Sequence, residues 1–212
     1  MELGSYLVTA VIAYLLGSTP TGYLAGRLRG IDIRQVGSGN IGATNVFRVL
    51  GKTAGTIVLL IDGLKGYAAC AWVADLILHW FPAQVGEGEA LRVTAGLAAI
   101  LGHNFTCWLK FRGGKGIATS AGVLAALVPG ALIIIFSIWL IIFALTRYVS
   151  LASIAASLAL PFATWLTRHH LLLTIITGAM AALAIYRHRA NIQRLIHGTE
   201  NRFGSKPREA GP

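Results

Sequence analysis

The chain has little charge and even less acid. Only 12% of its 212 residues are charged, where soluble domains carry about 25%. Its eight Asp and Glu face eighteen Lys and Arg. With 55% hydrophobic residues and a mean hydropathy of +0.67, this composition excludes an ordinary soluble domain and points to a lipid bilayer as partner. Cysteine is scarce as well. Cys70 and Cys107 form no CxxC and no metal-ligand spacing, which argues against a disulfide framework and against a bound metal. The formal charge of +10 would suit a nucleic-acid partner. Aromatic residues, however, are not interleaved with Lys and Arg in an RNA-reading pattern. The N-terminal MELGSYLVTAVIAYLLG is acidic before its apolar run and lacks a small-x-small cleavage site. It is expected to be a retained span with its N-terminus outside.

What charge there is lies in clusters. Fourteen of the eighteen Lys and Arg fall in three short segments. The first holds Arg27, Arg29, Arg34, Arg48 and Lys52; the second holds Lys110, Arg112 and Lys115. The third holds Arg187, Arg189, Arg194, Arg202, Lys206 and Arg208. Each also carries small or polar residues able to hold an anion: GSGNIGATNVFR, GGKG and RHRANIQR. A membrane protein whose surface loops build a phosphate site has this layout.

A helical span needs roughly 20 mainly apolar residues. Candidate spans cover 4–26, 53–80, 90–109, 117–146, 148–166 and 170–186. The stretch 117–146 is long for one crossing, and Pro129-Gly130 interrupts it. Proline removes a backbone donor and glycine adds freedom, so a break is expected there. Counting that stretch twice puts all three basic segments on the cytoplasmic face, as the positive-inside rule favours. The expected fold is therefore all-α: a polytopic membrane helical bundle with seven transmembrane helices and three cytoplasmic glycine-rich, basic segments. One domain is expected over 1–200, followed by a disordered cytoplasmic tail, 201–212.

Two nucleotide motifs are approached and missed. Gly37-Ser38-Gly39-Asn40-Ile41-Gly42 fits GxGxxG, but it lies between two spans and lacks the strand it should follow. Gly113-Gly114-Lys115-Gly116 is close to a phosphate-binding Walker loop. Leu109, however, stands where glycine is required, and Gly116 replaces the hydroxyl residue. The shared physics remains: glycines let successive backbone N–H groups converge on an anion as a nest. Ser38, Thr44 and Asn45 add neutral donors, while Arg48 and Lys115 add charge. Arg27, Arg29, Arg202, Lys206 and Arg208 read as anchors to lipid head groups. In the third segment His188 and Asn191 are three apart and share a helix face. That segment reads either as a basic helix on the membrane surface or as part of a site. His103, at a span end, is either a packed histidine or a site member. Asp62 and Lys65 sit at i and i+3 inside a span, close enough to pair. Either a structural ion pair or a place beside the site fits them.

Three longer segments carry a family resemblance. GSTPTGYLAGRLRGIDIRQVGSGNIGATNVFRVLG, GHNFTCWLKFRGGKGIAT and RHRANIQRLIHGTE resemble, in order and spacing, the three signature motifs of the bacterial acyl-phosphate-dependent glycerol-3-phosphate acyltransferases. The resemblance runs from the first span to Glu200. One departure is Thr106-Cys107-Trp108, where the family commonly has a proline-led apolar triplet. The resemblance implies transfer of a fatty acyl group from acyl phosphate to the sn-1 hydroxyl of glycerol 3-phosphate. It implies that Ser38, Arg48 and Lys115 bind phosphate and that Gly37, Gly39, Asn40, Thr44 and Asn45 shape the first loop. By the same resemblance Gly114 and Gly116 line the second loop, and His188 and Asn191 close the site. Glu200 is implied as a brace that pairs an arginine.

The residues agree with such chemistry. No His is followed five positions on by Asp, so the HxxxxD motif of other glycerolipid acyltransferases is absent, and no GxSxG elbow occurs. Acyl phosphate is a mixed anhydride with a good leaving group, so direct attack needs no acyl-enzyme. Catalysis then rests on holding two anions together and screening their repulsion. The hydroxyl proton passes to His188 or to a substrate phosphate oxygen. No cofactor is implied. A transporter of organic phosphate is the alternative, since interrupted spans and intramembrane charges fit it. Against it stand the lack of an internal repeat and the clustering of basic segments.

Overall fold

The computed structural model describes residues 3–81 and 87–204. Regular structure among the described residues is helical throughout. The chain divides into two compact units, Met1–Pro129 and Gly130–Pro212.

The first unit begins with α1 (Leu3–Ser18) and α2 (Thr21–Arg27), separated at Pro20, whose missing N–H interrupts the helical ladder. A loop over 28–42 leads to α3 (Ala43–Leu50). Gly51, at φ +89°, turns the chain into α4 (Lys52–Ala68). One π-helical turn, Ala69–Val73, joins α4 to α5 (Ala74–Trp80). Then follow α6 (Glu87–Asn104), a 3-10 turn at Cys107–Leu109 and α7 (Ile117–Leu127). Small residues let these helices touch main chain to main chain, the packing mode favoured where lipid supplies no hydrophobic drive between helices. Gly17 of α1 lies on the Ala99 backbone of α6. Gly66 of α4 lies on the Thr119 carbonyl of α7, and Gly122 of α7 on the Gly63 carbonyl of α4. Ile33, Ile41, Val46, Val58 and Leu109 form a further buried cluster. That cluster fastens the 28–42 loop to α3, α4 and the turn before α7.

The second unit takes in α8 (Pro129–Thr146) from its second residue, then α9 (Val149–Arg168), α10 (Leu171–Arg187) and α11 (Arg189–Ile196). Along α9 the hydroxyls of Ser153, Ser157 and Thr164 donate to carbonyls four residues back, which hides them within their own helix. Trp139 of α8 donates its indole N–H to Ser153 Oγ at 3.2 Å. Beyond the helices, the Phe203 N–H donates to the Arg147 carbonyl, and its ring meets Phe143 edge-on. Of the tail expected over 201–212, the part from 205 onward, with Lys206 and Arg208, lies outside the described residues.

Among the described residues, four helical stretches are long and apolar enough to cross a membrane: Leu3–Arg27, Lys52–Trp80, Pro129–Thr146 and Val149–Arg168. Leu171–Arg187 with Arg189–Ile196 makes a fifth if that pair, bent by 58°, is one span. Many large apolar side chains on these helices face outward, Leu60, Ile141 and Phe162 among them. The stretch 117–146 is two helices, broken between Leu127 and Pro129. At about 1.5 Å rise per residue, α7 is far shorter than a bilayer core of about 30 Å. α6 covers most of the expected 90–109 span but starts three residues earlier and ends five residues earlier, and it carries Glu87, Glu89 and Arg92 in its first turns.

Candidate functional site

The first loop is organised from within by one side chain. Asn45, 1% exposed, accepts from the Ser38 N–H at 2.8 Å through Oδ1. Its Nδ2 donates to the carbonyls of Ile33 (3.1 Å) and Val36 (3.0 Å). Gly37, at φ +63°, lies so close to the Asn45 amide that no β-carbon fits. The Gly39 N–H donates to the Val36 carbonyl, and the Gly42 N–H donates to Asn40 Oδ1 at 2.8 Å. The backbone donors of Ser38, Gly39 and Gly42 are thus used inside the loop. These three N–H groups of the expected nest hold the loop itself. Ser38 remains exposed, and Thr44 and Arg48, four apart on α3, share a face with Arg48 at the surface.

The second loop is held by main chain. Lys110 (φ 54°) and Phe111 (φ 60°) are both left-handed, a conformation bulky residues seldom adopt, and they reverse the chain. The segment beyond them then runs back along the end of α6. The Gly113 N–H donates to the Asn104 carbonyl at 3.1 Å and the Gly114 N–H to the His103 carbonyl at 3.0 Å. Here too the glycine donors are spent on the fold. Gly114 lies against His103 Nε2, and a β-carbon on Gly116 (φ +79°) would sit 2.7 Å from Asn104 Oδ1. Lys115 is half-buried between those two buried glycines.

The two loops border one cavity of about 400 Å³, lined by Asp32, Arg34, Gln35, Gly39, Asn40, Ile41, Arg112 and Gly113. Arg34 grips Asp32 with two parallel bonds, Nε to Oδ1 at 2.9 Å and Nη2 to Oδ2 at 2.6 Å. Those bonds hold the Asp32 carboxyl down at about 2. The guanidinium also lies over the Tyr23 ring, 4.8 Å from its centre. Arg34 and Arg112 as cavity residues were not singled out by spacing, because only the tertiary approach of the loops brings them to one wall.

Behind the second loop lies a buried polar cluster. Asp62 Oδ1 accepts from Thr21 Oγ1 at 2.6 Å and pairs with Lys65 Nζ at 2.8 Å. Lys65 Nζ also donates to the Thr19 carbonyl at 2.9 Å. His103 Nδ1 stands 3.6 Å from the same carboxylate oxygen.

In the second unit His188 is buried at the bend between α10 and α11. Its Nδ1 lies 2.8 Å from the Ala184 carbonyl oxygen. A carbonyl only accepts, so Nδ1 carries a proton, and when the ring is neutral its lone pair is on Nε2. Asn191, also buried, donates to Glu200 Oε1 at 2.7 Å. Ser150 donates to the same oxygen at 2.8 Å, and Arg194 Nε to Oε2 at 2.7 Å. Burial pushes the Glu200 carboxyl up, but these donors together outweigh it and hold the group below its ordinary value. Arg194 is the arginine that the implied Glu200 brace pairs, while Ser150 joins this hub without any sequence signal to mark it. Among the described residues no three His, Cys, Asp or Glu gather where they could hold a metal ion.

The family model for glycerol-3-phosphate acyltransferase matches residues 7–198, running through both units. The glycerol-3-phosphate acyltransferase of Chlorobaculum parvum is 44% identical over 226 residues, covering 94% of this chain and 97% of that one. That of Trichlorobacter lovleyi is 44% identical over 191 residues, covering 90% and 94%. The crystal structure of PlsY (YgiH), an integral membrane glycerol 3-phosphate acyltransferase, in its glycerol 3-phosphate form is 41% identical with a TM-score of 0.84. That likeness covers 94% of this chain and 96% of the crystallised one. With identity at this level over nearly the full length of each relative, the chain belongs to the glycerol-3-phosphate acyltransferase family.

Proposed function

We propose that the protein moves a fatty acyl group from acyl phosphate to the sn-1 hydroxyl of glycerol 3-phosphate, giving lysophosphatidate and inorganic phosphate. It is an acyltransferase of phospholipid biosynthesis, and the observation that carries this reading is the family match over 7–198. The hydroxyl oxygen attacks the acyl carbon, forming the new ester bond. The bond from that carbon to the phosphate oxygen breaks, and phosphate leaves with the electron pair. The hydroxyl proton goes to Nε2 of His188, the ring position left basic by the Ala184 carbonyl, or to a phosphate oxygen. Ser38, Arg48 and Lys115 bind phosphate by their side chains, since the N–H groups of Ser38, Gly39, Gly113 and Gly114 are committed to the fold. Arginine suits a two-bond grip, while lysine acts as a point charge. Asn40, Thr44, Gly114 and Gly116 shape this binding surface, and Asn191 and Glu200 hold the third motif in form. The domain spans 1–200.

The protein sits in the bacterial cytoplasmic membrane as a multi-pass chain with seven crossings, its three basic segments facing the cytoplasm. The positive-inside rule supports that orientation. An impermeant thiol reagent applied to single-cysteine variants at the exposed positions Ser38, Arg112 and Gln193 tests it. Labelling of position 193 from outside intact cells overturns the count of seven.

The activity test incubates purified protein with acyl phosphate and glycerol 3-phosphate and follows phosphate release and lysophosphatidate together. Equal amounts of the two products are expected. Lysophosphatidate made from acyl-CoA, with no acyl phosphate present, overturns the donor. Phosphate flux across a vesicle without lysophosphatidate favours the transporter.

A further inference from the structure

We infer that Asp62, Lys65 and Thr21 form a positioning device for the Gly113–Gly116 loop, acting on Lys115 through the His103 ring. The inference rests on the reading of Lys115 as a phosphate-binding residue. Asp62, Lys65 and His103 are each 5% exposed or less. A buried ion pair of this kind is poor value as mere packing, since apolar replacements are often as stable. Charged groups at membrane depth are costly and are generally kept for a purpose.

The contacts say what that purpose is. Three groups converge on a single oxygen, Asp62 Oδ1: the Thr21 hydroxyl, the Lys65 ammonium and, at 3.6 Å, His103 Nδ1. The opposite edge of the imidazole, Nε2, lies against Gly114, leaving no room for a β-carbon there. The Gly114 N–H in turn donates to the carbonyl of His103 itself. Lys115 is the next residue. A contact path therefore runs from the carboxylate through the ring to the backbone that aims the lysine. The far end of the loop is fixed from the same helix, because Gly66, adjacent to Lys65, lies on the Thr119 carbonyl near the start of α7. Both anchor points of the loop thus belong to the frame that carries the ion pair. A misplacement of about 1 Å, even when it originates away from the reacting atoms, can cost about 100-fold in rate.

The test is a double-mutant cycle on the purified full-length chain, reading KM for glycerol 3-phosphate and kcat. Asp62→Asn with Lys65→Met removes both buried charges together, so neither is left unpaired. In the wild-type background this pair is expected to raise KM by about tenfold with a smaller change in kcat. In the Lys115→Ala background it is expected to change KM by less than about twofold, because residues that act through one another do not add. A full tenfold effect in both backgrounds overturns the inference, as does wild-type KM in the folded pair variant. If the pair variant does not fold, Thr21→Val takes its place in the same cycle. It keeps the shape and deletes one hydrogen bond, so a rise of about threefold that disappears without Lys115 is expected. An unchanged KM for Thr21→Val then overturns the inference. Should Lys115→Ala alone behave as wild type, the phosphate reading itself falls, an outcome separate from the others.

Discussion

The loop over 32–42 and the loop over 110–116 border the same cavity, yet different parts of the chain hold them. In the first, one buried amide, Asn45, satisfies a donor and two acceptors of the loop backbone. In the second, Gly113 and Gly114 pair directly with the carbonyls of Asn104 and His103. A loop held by a side chain depends on that side chain's chemistry. A loop held by main chain depends on the smallness of its residues. The two neighbouring stretches should therefore fail in different ways.

The largest effect is expected from Gly113→Ala, because the added methyl would fall on the His103 carbonyl, a backbone atom that cannot swing aside. Overpacking of this kind costs about 3 kcal/mol. Activity should be lost, with a lowered melting temperature. A fully active Gly113→Ala would mean that the second loop is not held by this close approach. Next come the cations. Lys115→Ala and Arg48→Ala should each lose at least roughly 10-fold in kcat/KM with little change in melting, since a charge-assisted hydrogen bond contributes about 1.5–3 kcal/mol. Arg48→Lys should recover only part of that loss, because an ammonium cannot reproduce the planar two-bond grip. Equal, wild-type kinetics in all three would reduce both loops to membrane anchors.

Asn45→Asp sharpens the contrast. The carboxylate can still accept from Ser38 but cannot donate to Ile33 and Val36. A destabilisation of about 2 kcal/mol in denaturant melts is expected from the two acceptors stripped of donors. The smallest effect is one of pH. Asp32 is held at about 2 by Arg34, against 3.8 for an unperturbed group. A depressed carboxyl contributes its stability above pH 3.8, and that contribution is lost as pH falls toward 2. The pair is exposed, so the change should be slight and confined to the first loop. Hydrogen exchange at 32–42 should rise in acid while exchange at 110–116 stays level, and a parallel rise in both would erase the distinction.

Hydropathy alone was enough to read much of the helical plan. The proline at 129 marked a true break, because a missing N–H is a local property of one residue. The stretch that became α6 was harder, since Glu87, Glu89 and Arg92 temper an otherwise apolar helix. At the site, glycine spacing located both loops but did not reveal that the N–H groups of Gly39, Gly42, Gly113 and Gly114 bind within the fold. Whether such a donor faces an anion or a carbonyl depends on what packs alongside, and the residues alongside are Asn45 in one loop and His103–Asn104 in the other. The i, i+3 spacing foretold the Asp62–Lys65 pair. It could not foretell Thr21 or His103, which lie on other helices about forty residues away in either direction and meet Asp62 only after folding.

The α4–α7 crossing has a further consequence for motion. With Gly66 on the Thr119 carbonyl and Gly122 on that of Gly63, neither helix can slide or roll without one backbone striking the other. Rearrangement of either helix is therefore expected to carry the other with it. Amides on the two helices should then open to exchange at a common rate, as one cooperative unit.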